Sequence, residues 1–356
     1  MNESNSSIHV ACHMRDDIDP DAVARVGATM FTSIVAAMEA GQGGYITVLR
    51  NCKIDVPITI FTAGTTLDLN GHTIVFVAPK SGDSKESDLP SLCITAPGTC
   101  IKDGRLSVLS GADNAVLLDR VAHKPEVMFY NVGLAYEGLG HALCVMSGIA
   151  LLQNSRIESS ASGIQVCSDR AHVGISSTRI VAQHKAITLN NGRLFSDSSH
   201  IAARDSNAIL VEGGFLGICS SEVGSHHASA IRMTLSADVY APPSIKICEC
   251  TDVTSVRSHG LLIEGGNVTI LRSMVRSFGS SAIRMGAQDS FGPLRLSVIG
   301  GSVISSWTDT AIERLSGILY LNNSSVKTIN GSEVHELDSS EVEDDYSLDL
   351  AEPSFL

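Results

Sequence analysis

The sequence is poor in aromatic residues, which make up 4% of 356 positions and include a single tryptophan, Trp307. A chain so short of large rings must fill its interior with small and β-branched side chains. Charge is also sparse, at 18%, and uneven in sign, with 25 basic against 38 acidic residues and a net charge of −13. Nine of the acids fall between Glu333 and Glu352, where no Lys or Arg occurs, and without them the net charge is −4. A body so close to neutral does not neutralise a phosphate backbone, which argues against nucleic acid as a partner. No run of 18 apolar residues is present, so no membrane-spanning helix is expected. The opening, MNESNSSIHVACHMRDDIDP, lacks a basic segment followed by an apolar one. No signal peptide is therefore read there, and taken literally the chain is cytoplasmic.

The nine cysteines are odd in number and scattered, with no CxxC pair. Cys248-Glu249-Cys250 is a lone CxC, whose thiols would share a face if it lay within a strand. Most of the cysteines sit in apolar, strand-like contexts and read as small buried hydrophobes, so no metal site and no cofactor is expected.

What the sequence does have is a repeat. A small residue, an Ile or Leu, a variable position and an aliphatic recur as ALCV at Ala142, GIQV at Gly163, AITL at Ala186 and AILV at Ala208. The phrase continues as AIRM at Ala230, GLLI at Gly260, AIRM at Ala282 and AIER at Ala311. Two further short strands follow within each period, separated by turn signals such as Asn190-Asn191-Gly192 and Glu264-Gly265-Gly266. Three short strands in about 22 residues leave no room for a crossover helix. The period predicts an all-β, single-stranded, right-handed parallel β-helix of about ten coils, with residues in phase stacked at about 4.8 Å. Thr32 and Ser33 predict the start of a short amphipathic helix, with Ile34, Val35, Ala37 and Met38 for its buried face and Gly41 as its end. The expected organisation is an N-terminal cap over 1–45, the β-helix over 46–331 and an acidic, disordered tail over 332–356.

The stretch from Val26 to Ile74, and above all TLDLNGHTI at Thr66–Ile74, resembles the opening of pectin-lyase-like β-helix domains in bacterial proteins. Many such proteins sit at the cell surface, so the resemblance implies a secreted or surface location. It covers about 50 residues closely and implies architecture more than chemistry, because this fold hosts lyases, hydrolases, epimerases, tailspikes and non-catalytic adhesins. Ser258-His259-Gly260-Leu261 and Ile283-Arg284-Met285 are similar to two polygalacturonase motifs. The coil that should supply paired acids reads His227-Ala228-Ser229-Ala230 instead, so inverting hydrolysis lacks its acid.

The leading expectation is a non-catalytic β-helix module that presents a polar, serine-rich face to carbohydrate or protein partners. The alternative is a polysaccharide-acting enzyme, a uronan lyase or epimerase rather than a hydrolase. Its groove would hold Arg232 and Arg284, two coils apart in the same phase, as carboxylate ligands, with Tyr240 and Phe291 from adjacent loops stacking on sugar. His259 and Glu264 are the candidate catalytic residues of that groove. Equally, the outward arginines could pair with an acid such as Glu264 and serve only the fold. A structural stalk or tailspike-like unit is the third reading, and oligomeric state is left open. A second grouping, His226-His227 with His184, has no carboxylate in phase and is not expected to ligate metal. Asp68 and His72 read as turn-stabilising groups around Asn70-Gly71.

Overall fold

The computed structural model describes residues 21–77, 89–109, 113–119, 124–235, 242–286 and 294–329. The acidic tail and the loop residues Tyr240 and Phe291 lie outside the described residues. The chain is an all-β parallel β-helix. Each full coil runs through three strands, as in Gly148–Gln153, Arg156–Ser159 and Ser162–Val166, before the next coil begins at Ala171. We call the stacks of these strands ladders one, two and three. The recurrent phrase forms ladder three, an 11-stranded all-parallel sheet about 48 Å tall. Its inward residues run in strict register through Leu143, Ile164, Ile187, Ile209, Ile231, Leu261 and Ile283. All seven are fully buried. Ladder two adds one inward aliphatic per coil, as Ile157, Ile180, Ile201, Val223, Val253, Val275 and Ile304, and ladder one adds up to two more. Each such side chain stabilises the rod by about 1.5–3 kcal/mol relative to its exposed state.

The small residue opening each phrase has a steric cause. A Cβ on Gly163 would lie 2.3 Å from the carbonyl oxygen of Ala186, and one on Gly260 would lie 2.7 Å from Val275. At these two positions the neighbouring carbonyl and the Val275 side chain come too close even for the Cβ of alanine, so the phrase opens on glycine there.

The corner between ladders one and two is turned by a single left-handed residue in most coils. Asn70, Asp103, Asn131, Asn154, Ser177, Ser198, Ser220 and Arg272 all have φ between 47° and 56°. Asn and Asp tolerate this region best among residues with a Cβ, and four of them occupy the first coils. Asn70 is followed by Gly71, also at positive φ, and two further corners take two such residues, Glu249-Cys250 and Gly300-Gly301. This alters the reading of the CxC element. The strand ends at Cys248, so Cys248 is buried while Cys250 sits exposed in the corner, and the two thiols do not share a strand face.

From the Asn154 corner to the Gly300-Gly301 corner, the residue that follows is a buried Ser or Thr. Ser155, Thr178, Ser199 and Ser221 accept, at 3.1–3.2 Å, the corner N–H of the coil before: those of Val132, Ser155, Thr178 and Ser199. Each then donates to a carbonyl of its own coil, at 2.6–2.9 Å. Ser302 repeats the arrangement for the Ser273 N–H. A second column, Ser225, Ser255, Ser277 and Ser306, does similar work where ladder two turns into ladder three. The serine-rich character is thus in large part interior: these hydroxyls close the corners instead of forming a presented polar face.

At the N-terminal end, strand Ala24–Val26 pairs antiparallel with Tyr45–Val48, and the helix Ile34–Ala40 packs beside it. Ser33 caps the helix by accepting from the Ala36 N–H, Gly41 ends it, and Ile34, Ala37 and Met38 enter the core. Val35 is only half-buried at the margin of that face. In TLDLNGHTI, Asp68 accepts from the Asn70 N–H at 2.8 Å, from the Tyr45 hydroxyl, and from Lys102 at 3.1 Å. Burial pushes the Asp68 carboxyl up, but these donors outweigh it and hold the group below its ordinary range.

The corner hydroxyls are testable. Thr178→Val keeps the shape but strands the Ser155 N–H in a buried site. It is expected to lower unfolding stability in urea by about 1–3 kcal/mol, whereas Thr178→Ser should change it by less than about 1 kcal/mol.

Candidate functional site

The phase argument from sequence places Arg232 and Arg284 in one outward column of ladder three, in the order Arg232, Leu262, Arg284, Glu313. The two arginines stand two rungs apart, about 10 Å. Arg232 is engaged by Glu264 through two parallel hydrogen bonds, Nε to Oε2 at 3.0 Å and the terminal nitrogen to Oε1 at 3.1 Å. Arg284 faces Glu313 at 3.5 Å. His259 brings its Nδ1 to the Ser281 carbonyl at 3.1 Å and the Ser280 hydroxyl at 3.2 Å, so this nitrogen braces the turn. The structure therefore joins Arg232 to Glu264 and keeps Arg284 in their column. It commits both cations to acids of the chain and turns His259 Nδ1 away from them. A carboxylate already held by a guanidinium fork is a poor base, and the guanidinium retains little for a ligand.

Beyond these pairs, the same face of ladder three carries a hydrogen-bonded chain from Cys144 through Gln165 and Asn190 to Glu212. The Cys144 and Cys167 sulfurs are 3.7 Å apart. The hydrogen bond with Cys167, then burial, push the Cys144 thiol far above its usual range, and burial with Cys248 beside it pushes Cys219 up to about 12. These two thiols stay protonated near neutrality, the wrong form for a metal ligand or nucleophile. Among the described residues no group of three or more His, Cys, Asp or Glu side chains is arranged to hold a metal ion.

A different face has the shape of a binding site. A trough of about 740 Å³ runs along the outside of ladder two, where that ladder turns toward ladder three. Its floor includes Ala135, Val181 and Ala202, in register with Glu158 and Gly224. Apart from Glu158 these outward side chains are small, so the surface dips. The turn that follows each strand supplies the wall, with Glu137, Ser160, Gln183, Arg204 and His226-His227. Successive wall residues hang one above another because each N–H bonds a carbonyl of the coil below. Thus Gln183 bonds Ser159, Arg204 bonds Ala182, His226 bonds Ala203 and Val256 bonds Ser225.

The charge in the trough is uneven. At one end Glu158 is shared by Arg105, at 3.7 Å, and Arg156. At the other, Arg204 makes no ion pair among the described residues. The His226 and His227 rings meet edge to face, with centroids 4.4 Å apart. Arg257, one coil on, reaches His227 Nδ1 at 3.4 Å. A guanidinium only donates, so in this contact His227 Nδ1 stands as the acceptor. Two imidazoles thus stand between two guanidiniums that no carboxylate of the described chain neutralises.

Sequence reasoning considered His226 and His227 only as metal ligands and did not single out Arg204. The signal that finds them is the phase used for ladder three, counted from the last residue of each ladder-two strand: Ser159, Ala182, Ala203, Ser225. The residue after each of these is a wall residue. A further depression, of about 620 Å³, lies over the left-handed corners at Asn70, Asp103, Asn131 and Asn154. Its acids are engaged, Asp68 and Asp103 by Lys102 and Asp103 by Asn131, so it belongs to the architecture.

No family model matches the chain, and no curated protein matches it. Solved structures similar to it include the A-module of the mannuronan C-5 epimerase AlgE6 of Azotobacter vinelandii. That likeness is 9% identical, with a TM-score of 0.48, over 82% of this chain and 93% of that one. The periplasmic alginate epimerase AlgG is similar at 10% identity and a TM-score of 0.49, over 83% of this chain and 79% of that one. At these scores the likeness assigns no chemistry to this chain. No described helix is long and apolar enough to cross a membrane.

The half-exposed Arg232–Glu264 pair should act as a modest strut. Arg232→Ala and Glu264→Ala are each expected to lower stability by no more than about 1 kcal/mol, with a coupling of similar size in a double-mutant cycle read by urea unfolding.

Proposed function

We propose that the chain binds an extended anionic polysaccharide, a polymer bearing carboxylates, laid along the ladder-two trough parallel to the rod axis. The observation that carries this reading is the column Arg204, His226-His227, Arg257, whose guanidiniums have no acid partner among the described residues beside a floor of small side chains. Guanidiniums offer paired donors to carboxylates, and the imidazole N–H groups add further donors to sugar hydroxyls. Two guanidiniums two rungs apart along the axis suit a ligand that itself repeats in that direction. A compact small molecule would use only part of so long and open a depression.

A second reading is favoured by the two imidazoles themselves. Proton transfer at the carbon next to a carboxylate needs a cation on that carboxylate and an acid–base group beside it, and Arg204 with His226 supplies both kinds. Uronan lyase or epimerase chemistry would then belong to this trough, not to the Arg232/Arg284 column.

Calorimetric titration with polyuronates decides between the two faces. Arg204→Ala with Arg257→Ala is expected to weaken binding at least tenfold and to reduce its dependence on salt, while Arg232→Ala with Arg284→Ala leaves it within twofold. Equal binding by the Arg204/Arg257 double variant would overturn the assignment. Formation of unsaturated product, or exchange of the C5 hydrogen for solvent deuterium, followed by its loss in His226→Ala, would establish the second reading.

A further inference from the structure

The wall of the trough does not end at Arg257. Phe278 N–H bonds the Ser255 carbonyl at 3.1 Å, Trp307 N–H bonds Ser277 at 2.9 Å, and both residues hold the wall position that Arg204 and His226 occupy lower down. Along one column the chain therefore presents Gln183, Arg204, His226, Val256, Phe278 and Trp307. The character changes from polar and cationic to apolar and aromatic at Val256. Val256, Phe278 and Trp307 are each 42% exposed. In a protein with one tryptophan, placing it outside the core forgoes much of the burial such a ring normally gains.

The two rings are neighbours, with centroids 6.1 Å apart and planes tilted by 39°. Their backbones are held firmly. Ser277 accepts from the Ser280 N–H and donates to Ser258, while Ser306 accepts from the Asp309 N–H and donates to Ser280. A rigid turn presenting a partly exposed aromatic pair is a preformed platform for a flat apolar surface, and the C–H face of a pyranose ring is such a surface.

We infer that Phe278 and Trp307 form a stacking subsite for a sugar ring of the same anionic polysaccharide whose carboxylates meet Arg204 and Arg257. This rests on the function proposed above and adds a length requirement to it. Arg204 and Trp307 are four rungs apart, about 19 Å, so only an oligosaccharide that spans several rungs engages both. The occupant is a sugar and not a second protein copy because the stripe runs in one line with the cationic wall, and a polymer bound along the axis there passes over the rings.

The single tryptophan reports directly on the subsite. Oligo-uronates of increasing length are titrated into the full chain, with emission from Trp307 and calorimetric affinity measured together. Long oligomers should shift or quench the emission and disaccharides should not. Trp307→Ala and Phe278→Ala should each weaken long oligomers at least about fivefold, with Trp307→Phe restoring most of the loss. Circular dichroism should report an unchanged fold for these surface variants. If long oligomers bind and need Arg204 and Arg257, yet leave the emission and the Trp307→Ala affinity unchanged, the subsite is wrong and the trough stands. Absence of any polyuronate binding by the wild-type chain overturns both. A wild-type oligomer in sedimentation velocity that Trp307→Ala converts to monomer, with sugar binding untouched, reassigns the stripe to contact between copies and sinks the inference.

Discussion

A chain that turns a corner in one left-handed residue leaves an amide just past the corner with no strand in front of it. In water that amide would be hydrated, but here it lies inside the rod, where an unmet donor costs about 1–3 kcal/mol. Repeated over successive coils, the cost would rival the whole stability of a domain. The Ser/Thr column beside the corner removes it, because each hydroxyl accepts the amide of one coil and donates to a carbonyl of the next. The bonds join coil to coil, so they also fix the stacking phase. Without that phase the aliphatic ladders would slip, and no outward residue would have a defined neighbour.

Fixed phase turns the surface into columns, and the character of a column follows from what its rungs carry. On ladder three each outward arginine has an acid within reach: Arg232 has Glu264 and Arg284 has Glu313. Such a surface is closed, and it braces itself without calling for a ligand. On ladder two the floor is small at Ala202 and Gly224, and the turns beside it carry Arg204 and Arg257, for which the described residues supply no ion pair. Glu158 serves two arginines at one end, and among the described residues nothing comparable serves Arg204 or Arg257. Guanidinium charge held beside a depression, with no counter-ion among the described residues, favours an external anion.

The architecture was legible because periodicity is a property of the sequence alone. The phrase beginning at Ala142 placed Leu143, Ile164 and Ile187 in register, and the same count put Arg232 and Arg284 in one column, as the strand pairing has them. Ser33, Gly41 and the face of the short helix followed from capping chemistry. What the count did not give was the partner of each charge. Glu264 lies two residues past the in-phase position Leu262, and only the path of the chain after Ile263 brings its carboxylate onto Arg232. The strand reading of Cys248-Glu249-Cys250 failed for a related reason. Two successive residues with φ near +55° to +60° look like ordinary sequence, yet they end the strand and send the second thiol elsewhere.

Serine shows most clearly why composition misleads in this fold. Read as a polar residue it implied a presented face, but Ser199, Ser221, Ser255, Ser277 and Ser302 are all at most 5% exposed. A hydroxyl is small enough to enter a corner, donates once and accepts readily, and so matches an amide and a carbonyl together where a methyl would satisfy neither. Once the serines are assigned to the interior, the surface left to meet a ligand is narrower and more specific than the composition implied. It is the line where ladder two ends, cationic at Arg204 and Arg257 and aromatic at Phe278 and Trp307. Those four side chains project from turns that the buried serines hold in place, so the interaction that closes the corners also sets the spacing of the groups outside them.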